Sequence, residues 1–218
     1  MATTRKMRCT RPETSTTSQR RITTPMIRRG GLLAAAAAVG LMAPAVLGNT
    51  IPQGWTFQPG HGGGTVVPHP TGIGETVFLN GTTAVINWDS FNLGSGNYIH
   101  FQSYAAGQPF SVLNKTNQGY SSQIYGSMTS SPLGRVGLIN PAGVVFHQGS
   151  VVNVGSFLAA SASTIDEDAF LNNAANGYSM TCGSGNIRVM PGASITASDS
   201  LVLVGKNITN RGSLTAPT

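Results

Sequence analysis

The amino-acid sequence predicts an all-β protein of the β-solenoid class, in which the chain winds into stacked coils of short strands. The 218 residues include 28 glycines, and only 9% are charged and 7% aromatic. This composition is typical of turn-rich β proteins rather than helical ones. A weak repeat of glycine, a small residue and alternating apolar and polar residues starts at Gly149, Gly192 and Gly212. Ile187 to Ile208 is 21 residues and Ile195 to Leu214 is 19, and a period of about 20 lies in the range for solenoids, whose coils bury their inner faces against each other.

Short apolar runs separated by turn residues predict the strands. The predicted strands cover residues 76–79, 84–88, 98–102, 110–113, 123–125, 136–139 and 144–146. Asn80 and Gly81 form a tight-turn signal between the first two. Residues 49–74 are rich in proline and glycine, so we expect edge strands or loops there, because proline cannot donate a hydrogen bond to a sheet.

Two stretches carry the strongest local signals. Residues 84–94, AVINWDSFNLG, mix large apolar and polar residues and end at a glycine, as expected for a half-buried strand followed by a turn. Residues 134–155 contain two apolar runs joined by Asn140-Pro141-Ala142-Gly143. Asparagine bonds back to the backbone, proline presets φ, and glycine suits the fourth position of a type I turn. We therefore expect a sharp turn between two strands.

Residues 163–185 interrupt the repeat. Thr164 is a candidate N-cap for a short helix that carries Asp166, Glu167 and Asp168 in its first turn. Carboxylates interact favourably with the helix dipole at that end. A polar stretch follows, so we expect a short helix and a loop that leave the solenoid wall as an excursion.

The start of the chain has the layout of a secretory signal peptide. A basic region ends with two arginines, an apolar run of alanines and leucines follows, and small residues come next. The apolar run is too short to predict a membrane span. We predict a signal peptide at residues 1–48, with cleavage after Ala45 or Gly48, and one domain at residues 49–218.

The positive charge of the chain belongs to this leader. The formal net charge is +6, but the first 29 residues carry +7 and the remainder −1. A nucleic-acid-binding domain needs a basic face, so we expect no nucleic-acid partner. Cys9 also lies in the leader, which leaves Cys182 as the single cysteine of the domain. The sequence therefore predicts no internal disulfide in the mature chain.

No sequence motif predicts a catalytic or metal-binding site. His61 and three glycines after it are similar to a lipase oxyanion loop, but the G-x-S-x-G elbow is missing. The histidines are scattered without ligand spacing. Three of the domain's six acidic residues form the predicted helix start, so we expect no converging pair of catalytic carboxylates. We predict that the protein is not an enzyme and has no cofactor or metal.

Three runs of residues resemble the secretion domain of two-partner-secreted exoproteins, the filamentous haemagglutinin family. Residues 84–96 resemble the family's VINW-x-SFN-(I/L)-G run, with Asn87, Trp88, Phe91 and Asn92 as its motif residues. Residues 112–126 resemble its VLNR…SQI-x-G run, and residues 136–146 its VFLINPNGIVF signature. Order and spacing match from about Ile51 onward. Lys115 replaces the usual Arg, Ala142 replaces the usual second Asn, and the Asn-Pro-Asn-Leu element of one subgroup is missing.

The resemblance implies a particular fold. It is a right-handed parallel β-helix with three strands per coil, an N-terminal cap and short extra-helical excursions. The segment from Ile51 to Gly54 resembles the family's mature N-terminus, which lies across the end of the helix. A cap would cover the unpaired edge of the first coil, and we expect Trp55 and Phe57 to pack over that end.

The resemblance also implies a function, that of a secretion-recognition module. The chain would cross the inner membrane, be recognised in the periplasm by the soluble domains of a dedicated outer-membrane β-barrel transporter, and coil up outside. That places it outside, or on the surface of, a Gram-negative bacterium. Partner recognition is expected at the family motifs, at Asn114, Lys115, Asn140, Pro141 and Gly143. The asparagines also have a structural interpretation, as turn formers and stacked ladders, and both roles are compatible.

Other functions stay open at this point. Exoproteins of this family are usually adhesins, haemolysins or contact-dependent toxins with roles in virulence, and those activities lie in downstream regions. The chain is compatible with a truncated exoprotein or a stand-alone module. The alternatives are a secreted β-helical enzyme that acts on polysaccharide and a minimal adhesin that binds host-cell glycans or proteins.

Overall fold

The computed structural model describes residues 8–10, 50–174 and 177–217, and the predicted signal peptide lies outside these residues apart from a three-residue strand. The elements are β1 (Arg8–Thr10), β2 (Gln53–Phe57), β3 (Gly64–Pro68), β4 (Gly74–Leu79), β5 (Thr83–Ser90), β6 (Tyr98–Ser103), β7 (Phe110–Thr116), β8 (Ser122–Ile124), β9 (Ser127–Ser130), β10 (Gly134–Ile139), β11 (Gly143–Phe146), β12 (Val151–Ala160), β13 (Ala162–Ile165), α1 (Glu167–Leu171), β14 (Ser179–Cys182), β15 (Asn186–Val189), β16 (Ser194–Val204), β17 (Ile208–Asn210) and β18 (Ser213–Thr215). The predicted strands and the short helix are confirmed.

Parallel pairing between successive coils builds three sheets. Sheet 1 stacks β4, β6, β9, the first halves of β12 and β16, and β18. Sheet 2 stacks β5, β7, β10 and the second halves of β12 and β16. Sheet 3 stacks β8, β11, β15 and β17. Each full coil contributes one strand to each sheet, so the fold is the expected right-handed parallel β-helix.

The register of the last coils confirms the sequence repeat. Val152 pairs with Ile195 in sheet 1, and Ile195 pairs with Leu214. These positions follow the three repeated glycines, and Gly149 N–H donates to the Gly192 carbonyl at 3.0 Å. Equivalent residues therefore stack in columns, because each coil reuses the same turn geometry.

Buried side chains that point into the coils form one continuous inner core. It draws on all three sheets, with Phe101 from sheet 1, Phe157 from sheet 2 and Phe146 from sheet 3 among its largest members. The rings of Phe146 and Phe157 meet edge to face, with centroids 6.0 Å apart. Burial of this apolar surface is the main force that stabilises the coils.

The N-terminal segment caps the first coil, as expected. Strand β2 pairs antiparallel with β5, and β3 pairs antiparallel with β4, so both outer edges are hydrogen-bonded. Phe57 packs against the inner core. Trp55 touches Phe57 edge to face at 5.8 Å but remains 42% exposed. Of the two aromatic residues expected to pack over the end of the β-helix, only Phe57 does so.

Glu75 lies under this cap. It shares the inward side of β4 with Val77, pairs with Ile99 of β6, and is only 6% exposed. Its Oε2 atom has no hydrogen-bond partner. Burial penalises the charged carboxylate and raises the pKa of Glu75 from 4.5 to about 7.

The excursion consists of the antiparallel pair β13 and β14 with α1 between them. Asp166 is the N-cap of α1, since its Oδ1 accepts from the Ala169 N–H at 3.0 Å. Thr164 lies in β13, so the expectation that Thr164 caps the helix is wrong. The reason is that β13 pairs with β14 through Ile165 and keeps the chain extended until Asp166.

A second cluster, the outer core, lies between this excursion and the outside of sheet 2. Its members are Val85, Leu113, Ile139, Leu158, Ala160, Ala162, Phe170, Leu171, Tyr178 and Met180. Gly137 makes the close packing possible, because a Cβ there would meet Phe170 Cζ at 2.8 Å. The excursion is thus packed onto the β-helix.

The prediction of no internal disulfide concerns the chain after cleavage of the leader, and it stays a prediction. Cys182 is disulfide-bonded, and the sequence has one other cysteine, Cys9. Strand β1, which contains Cys9, pairs in parallel with β14, which contains Cys182. A chain cleaved after residue 45 or 48 would lose strand β1.

Candidate functional site

Two motif residues, Asn87 and Lys115, lie on the outer face of sheet 2, near the ends of its strands. Asn87 of β5 pairs with Lys115 of β7, which pairs with Ile139 of β10. Both polar side chains are half-buried. Because residues two positions apart share a face of a strand, they continue the column that starts at Val85 and Leu113 of the outer core.

Trp88 and Asn114 face inward and bond to each other. The Trp88 indole N–H donates to Asn114 Oδ1 at 3.0 Å, and Asn114 Nδ2 donates to the Gly137 carbonyl at 3.1 Å. Asn114 has no exposed surface. It ties three successive coils together, and its side chain is not part of the surface of the folded domain.

Phe91 and Asn92 fix the corner between sheets 2 and 3. Phe91 is fully buried and meets Trp88 edge to face at 5.5 Å. Asn92 Oδ1 accepts from the Gln123 N–H at 2.9 Å, which joins the first coil to the second. Gln118 Oε1 accepts from the Phe91 N–H at 2.9 Å. These motif residues therefore act inside the fold.

The Asn140–Gly143 turn has the predicted geometry. Asn140 Oδ1 accepts from the Ala142 N–H at 3.0 Å, and the Gly143 N–H donates to the Asn140 carbonyl at 2.8 Å. Asn140 Nδ2 also donates to the Tyr120 carbonyl at 3.0 Å, so the side chain is fully buried between coils. Gly143 has φ 100°, and a Cβ there would meet the Asn186 carbonyl oxygen at 2.2 Å. Only glycine satisfies both conditions.

A polar cluster joins the cap to the excursion at this end of sheet 2. We call it the cap–helix cluster; it consists of Gln58 and His61 from the cap, Asn87, Lys115, and Glu167 and Asp168 of α1. Lys115 Nζ lies 2.5 Å from Glu167 Oε1. Gln58 Nε2 donates to Glu167 Oε2 at 2.6 Å. Elements far apart in sequence therefore meet at one carboxylate.

The cluster is partly shielded from water. The side chains of Lys115 and Glu167 are 29% and 16% exposed. His61 Nε2 lies 3.6 Å from Glu167 Oε2 and 3.5 Å from Asp168 Oδ1. Asn87 Nδ2 donates to Gln58 Oε1 at 3.4 Å. At this exposure we expect the ion pair to contribute about 1 kcal/mol or less to stability, so its main effect is to orient α1 and the cap.

A groove of about 380 Å³ opens beside the cluster. Four residues from the predicted motifs line this motif groove: Asn87, Trp88, Lys115 and Pro141. Thr116, Ala162 and Ser163 complete much of its wall. The structure thus brings together motif residues of the first three coils, whereas Asn114, Asn140, Gly143, Phe91 and Asn92 are buried away from it.

The sequence does not predict that Gln58, His61 and Glu167 belong to the cap–helix cluster. Gln58 and Glu167 are separated by 109 positions. In the sequence, His61 is notable only for the three glycines after it, and Glu167 only as part of the predicted helix start. No local pattern predicts their meeting, because it depends on how the cap and the excursion both fold onto sheet 2.

The described residues show neither a metal centre nor a membrane span. Within them, no group of three or more histidine, cysteine, aspartate or glutamate side chains is placed to hold a metal ion. The same part of the chain has no helix with the length and hydropathy needed to cross a membrane.

The comparisons with known proteins identify the family. The model of the TPS secretion domain matches residues 71–218. The chain belongs to the TPS secretion domain family. The crystal structure of the HMW1 secretion domain from Haemophilus influenzae aligns with a TM-score of 0.62 and 23% identity, over 76% of this chain and 42% of that one. This similarity supports the β-helical fold.

Two curated relatives are similar over part of their length. A heme/hemopexin-binding protein of Haemophilus influenzae is 28% identical over 172 residues, which cover 76% of this chain and 18% of the relative. A second protein of that name is 32% identical over 119 residues, which cover 54% of this chain and 12% of the relative. The chain therefore spans less than a fifth of the curated relatives it matches.

Proposed function

We propose that this domain is the secretion-recognition module of a two-partner-secretion exoprotein. It directs export through a partner outer-membrane β-barrel transporter, whose soluble periplasmic domains bind it. Membership of the TPS secretion domain family and the capped β-helix support this proposal. The protein would be secreted, or held on the cell surface, by a Gram-negative bacterium after passing through the periplasm.

We place the partner contact at the motif groove because motif residues converge there. Asn87, Lys115 and Pro141 come from three successive coils, yet all three line one opening. None of them fills the inner core. Their shared position supports a role in contact with a partner, since polar and proline side chains around a groove provide directional hydrogen bonds and a rigid wall.

The buried motif residues have a different role in this proposal. Asn114 and Asn140 use their side chains for bonds between coils, and Gly143 permits the sharp turn. A transporter could contact these side chains only before the chain coils up. In the folded domain they hold Lys115 and Pro141 in place.

The first experiment compares Lys115→Ala with Lys206→Ala. Lys206 is an exposed lysine in the last coil and does not line the motif groove, so it is a matched control. We expect Lys115→Ala to weaken binding of the purified domain to the transporter's soluble periplasmic domains by about threefold to tenfold, and to leave protein in the periplasm. Equal binding of the two variants would exclude the motif groove as the contact surface.

A second experiment separates recognition of the fold from recognition of the unfolded chain. Gly143→Val cannot form the turn without moving the chain at Asn186, so it disrupts folding while leaving Lys115 in the sequence. We expect the transporter domains to bind this variant much more weakly than the parent. Unchanged binding would show that the transporter reads the extended sequence and not the folded groove.

We propose that residues 1–48 act as the signal peptide for the inner-membrane step. The basic, apolar and small-residue regions of the leader support this. N-terminal sequencing of secreted protein should find a start between Val46 and Ile51. A secreted chain that retains Arg28 would contradict the proposal.

A further inference from the structure

The loop between β6 and β7 lies at the corner between sheet 1 and sheet 2. Its residues, 104–109, are all exposed. The loop is nevertheless held by hydrogen bonds: the Tyr104 N–H donates to the Leu79 carbonyl at 3.0 Å, and the Ala105 N–H donates to Ser103 Oγ at 3.2 Å. Gln108 N–H closes the turn on the Ala105 carbonyl at 3.3 Å. The loop therefore presents its side chains in a defined arrangement.

Tyr104 forms an aromatic platform with Phe78 of β4. The two rings stack with centroids 5.0 Å apart and an interplanar angle of 23°. Tyr104 remains 57% exposed. The stacking fixes the orientation of a large ring that water still reaches, and a fixed ring face is a surface on which the flat apolar face of a ligand can pack.

Two hollows flank this loop. The first, of about 350 Å³, lies beside the platform and is also lined by Gln102 and Ser131. The second, of about 700 Å³, lies on the side of sheet 2 and is lined by Thr83, Ser111 and Asn172, among others. Each hollow is within the size range of ligand sites, and Gln108 is the one residue that their linings share.

The lining mixes polar and apolar surface in similar amounts and carries no net charge. Among the residues that line the hollows, Arg135 and Asp199 are the charged ones. The Arg135 guanidinium lies 5.8 Å from the centroid of the Phe170 ring, and Asp199 Oδ2 accepts from Ser156 Oγ at 2.6 Å. Hydroxyl and amide groups provide the other polar atoms. Such a lining does not favour a polyanion, which needs a basic surface.

We propose that the Phe78–Tyr104 platform and the two hollows form a binding groove for a neutral oligosaccharide. One face of a sugar ring is formed by C–H groups and can pack on Tyr104. Neighbouring sugar hydroxyls need a donor and an acceptor side by side, and the side-chain amides of Gln102, Gln108 and Asn172 each provide both. The groove begins where the strands of sheet 2 start, whereas the motif groove lies where they end, so this site is independent of the proposed secretion role.

The test is a titration of the purified full chain, observed by NMR of its backbone amides. The probes are neutral oligosaccharides of glucose, mannose, galactose or N-acetylglucosamine, with sialyllactose as a charged comparison. We expect at least one neutral probe to shift the amide signals of residues 102–108, Ser131 and residues 133–135 with saturation. We expect Tyr104→Ala to weaken that binding by about threefold to tenfold.

Tyr120→Ala is the matched control, because Tyr120 is 56% exposed and lines neither hollow. It should bind the probe as the parent does. The proposal is overturned if none of the neutral probes shifts these signals, if the two tyrosine variants lose affinity equally, or if sialyllactose binds more tightly than every neutral probe. Gln108→Ala provides a second variant that leaves the platform intact and should also weaken binding.

Discussion

The inner core lies within the coils and spans all three sheets, whereas the outer core lies outside sheet 2, beneath the excursion. The inner core is closed by the coils themselves, with Phe146 and Phe157 from different sheets in contact. The outer core is closed by α1 and β14, which supply Phe170 and Tyr178. We expect removal of the excursion to expose sheet 2 and leave the coils paired.

The difference follows from how the strands of sheet 2 are covered. In sheet 2 both faces are buried, and its strands contain apolar runs such as Ala84-Val85-Ile86 and Phe157-Leu158-Ala159-Ala160. A parallel sheet covered on both faces has continuous apolar strands, whereas one covered on a single face alternates. Apolar runs in a β-helix therefore indicate where an excursion packs.

The largest expected effect comes from breaking the inner core. Phe157→Ala removes a ring that is 1% exposed and leaves a cavity between two sheets, so it should lower the free energy of unfolding by about 4 kcal/mol. Urea denaturation measures this value. All spectroscopic probes should report the same transition, since the inner core is continuous.

The control for Phe157→Ala is Leu133→Ala, which removes a side chain that is 51% exposed. It should change the free energy of unfolding by about 0.5 kcal/mol or less. Similar losses in the two variants would contradict the assignment of Phe157 to the main core.

The next effect tests the outer core by itself. Phe170→Ala removes the ring that packs on Gly137 and Tyr178, and it should cost about 3 kcal/mol. We expect the loss to be local, because the excursion can detach while the coils stay paired. Hydrogen exchange should become faster in β13, α1 and β14 and stay slow in β10 and β12. Faster exchange throughout the coils would show that the two cores unfold as one unit.

A third prediction uses the carboxyl group inside the inner core. Burial raises the pKa of Glu75 from 4.5 to about 7. Pro68 and Ile99, which pair with it from the neighbouring strands, carry no charge. The unfolded chain therefore loses this proton before the folded one, so stability should fall as the pH rises from 4.5 to 7 and stay level above it. The loss is about 3 kcal/mol at most.

Glu75→Gln should remove this part of the pH dependence and make the domain more stable than the parent at pH 7. Urea denaturation of the parent and the variant at several pH values measures both effects. A parent whose stability does not fall over this range would contradict the raised pKa. Asp199→Asn is the control, since Asp199 is an exposed carboxylate outside the inner core.

The smallest expected losses of stability distinguish the buried motif residues from those at the surface. Asn140→Ala leaves the Tyr120 carbonyl and the Ala142 N–H without their side-chain partner, so it should cost about 2 kcal/mol. Lys115→Ala removes a partly exposed ion pair and should cost about 1 kcal/mol or less. Thermal unfolding of the two variants gives the order. A greater loss for Lys115→Ala would mean that the cap–helix cluster, and not the turn, holds this end of sheet 2.

The candidate site could be predicted from the sequence only in part. The three motif runs contain Asn87, Lys115 and Pro141, and the structure brings these residues to one groove. The sequence does not distinguish them from Asn114 and Asn140, which lie in the same runs but face inward. Successive side chains of a strand point to opposite faces of the sheet. Asn114 and Lys115 are adjacent in β7, so one points inward and the other outward.

The family resemblance implied the right-handed parallel β-helix. The patterns of the sequence by themselves determined the β-solenoid class, the turn at Asn140–Gly143 and a short helix near Asp166–Leu171. These features rest on local preferences: glycine and asparagine in turns, apolar residues at inner positions, and carboxylates at a helix start. Only the tertiary structure decided that the cap and the excursion meet at Glu167, that Asp166 rather than Thr164 caps the helix, and that Glu75 is buried. Each of these depends on contacts between residues far apart in sequence, and no local pattern encodes which distant surface a segment will cover.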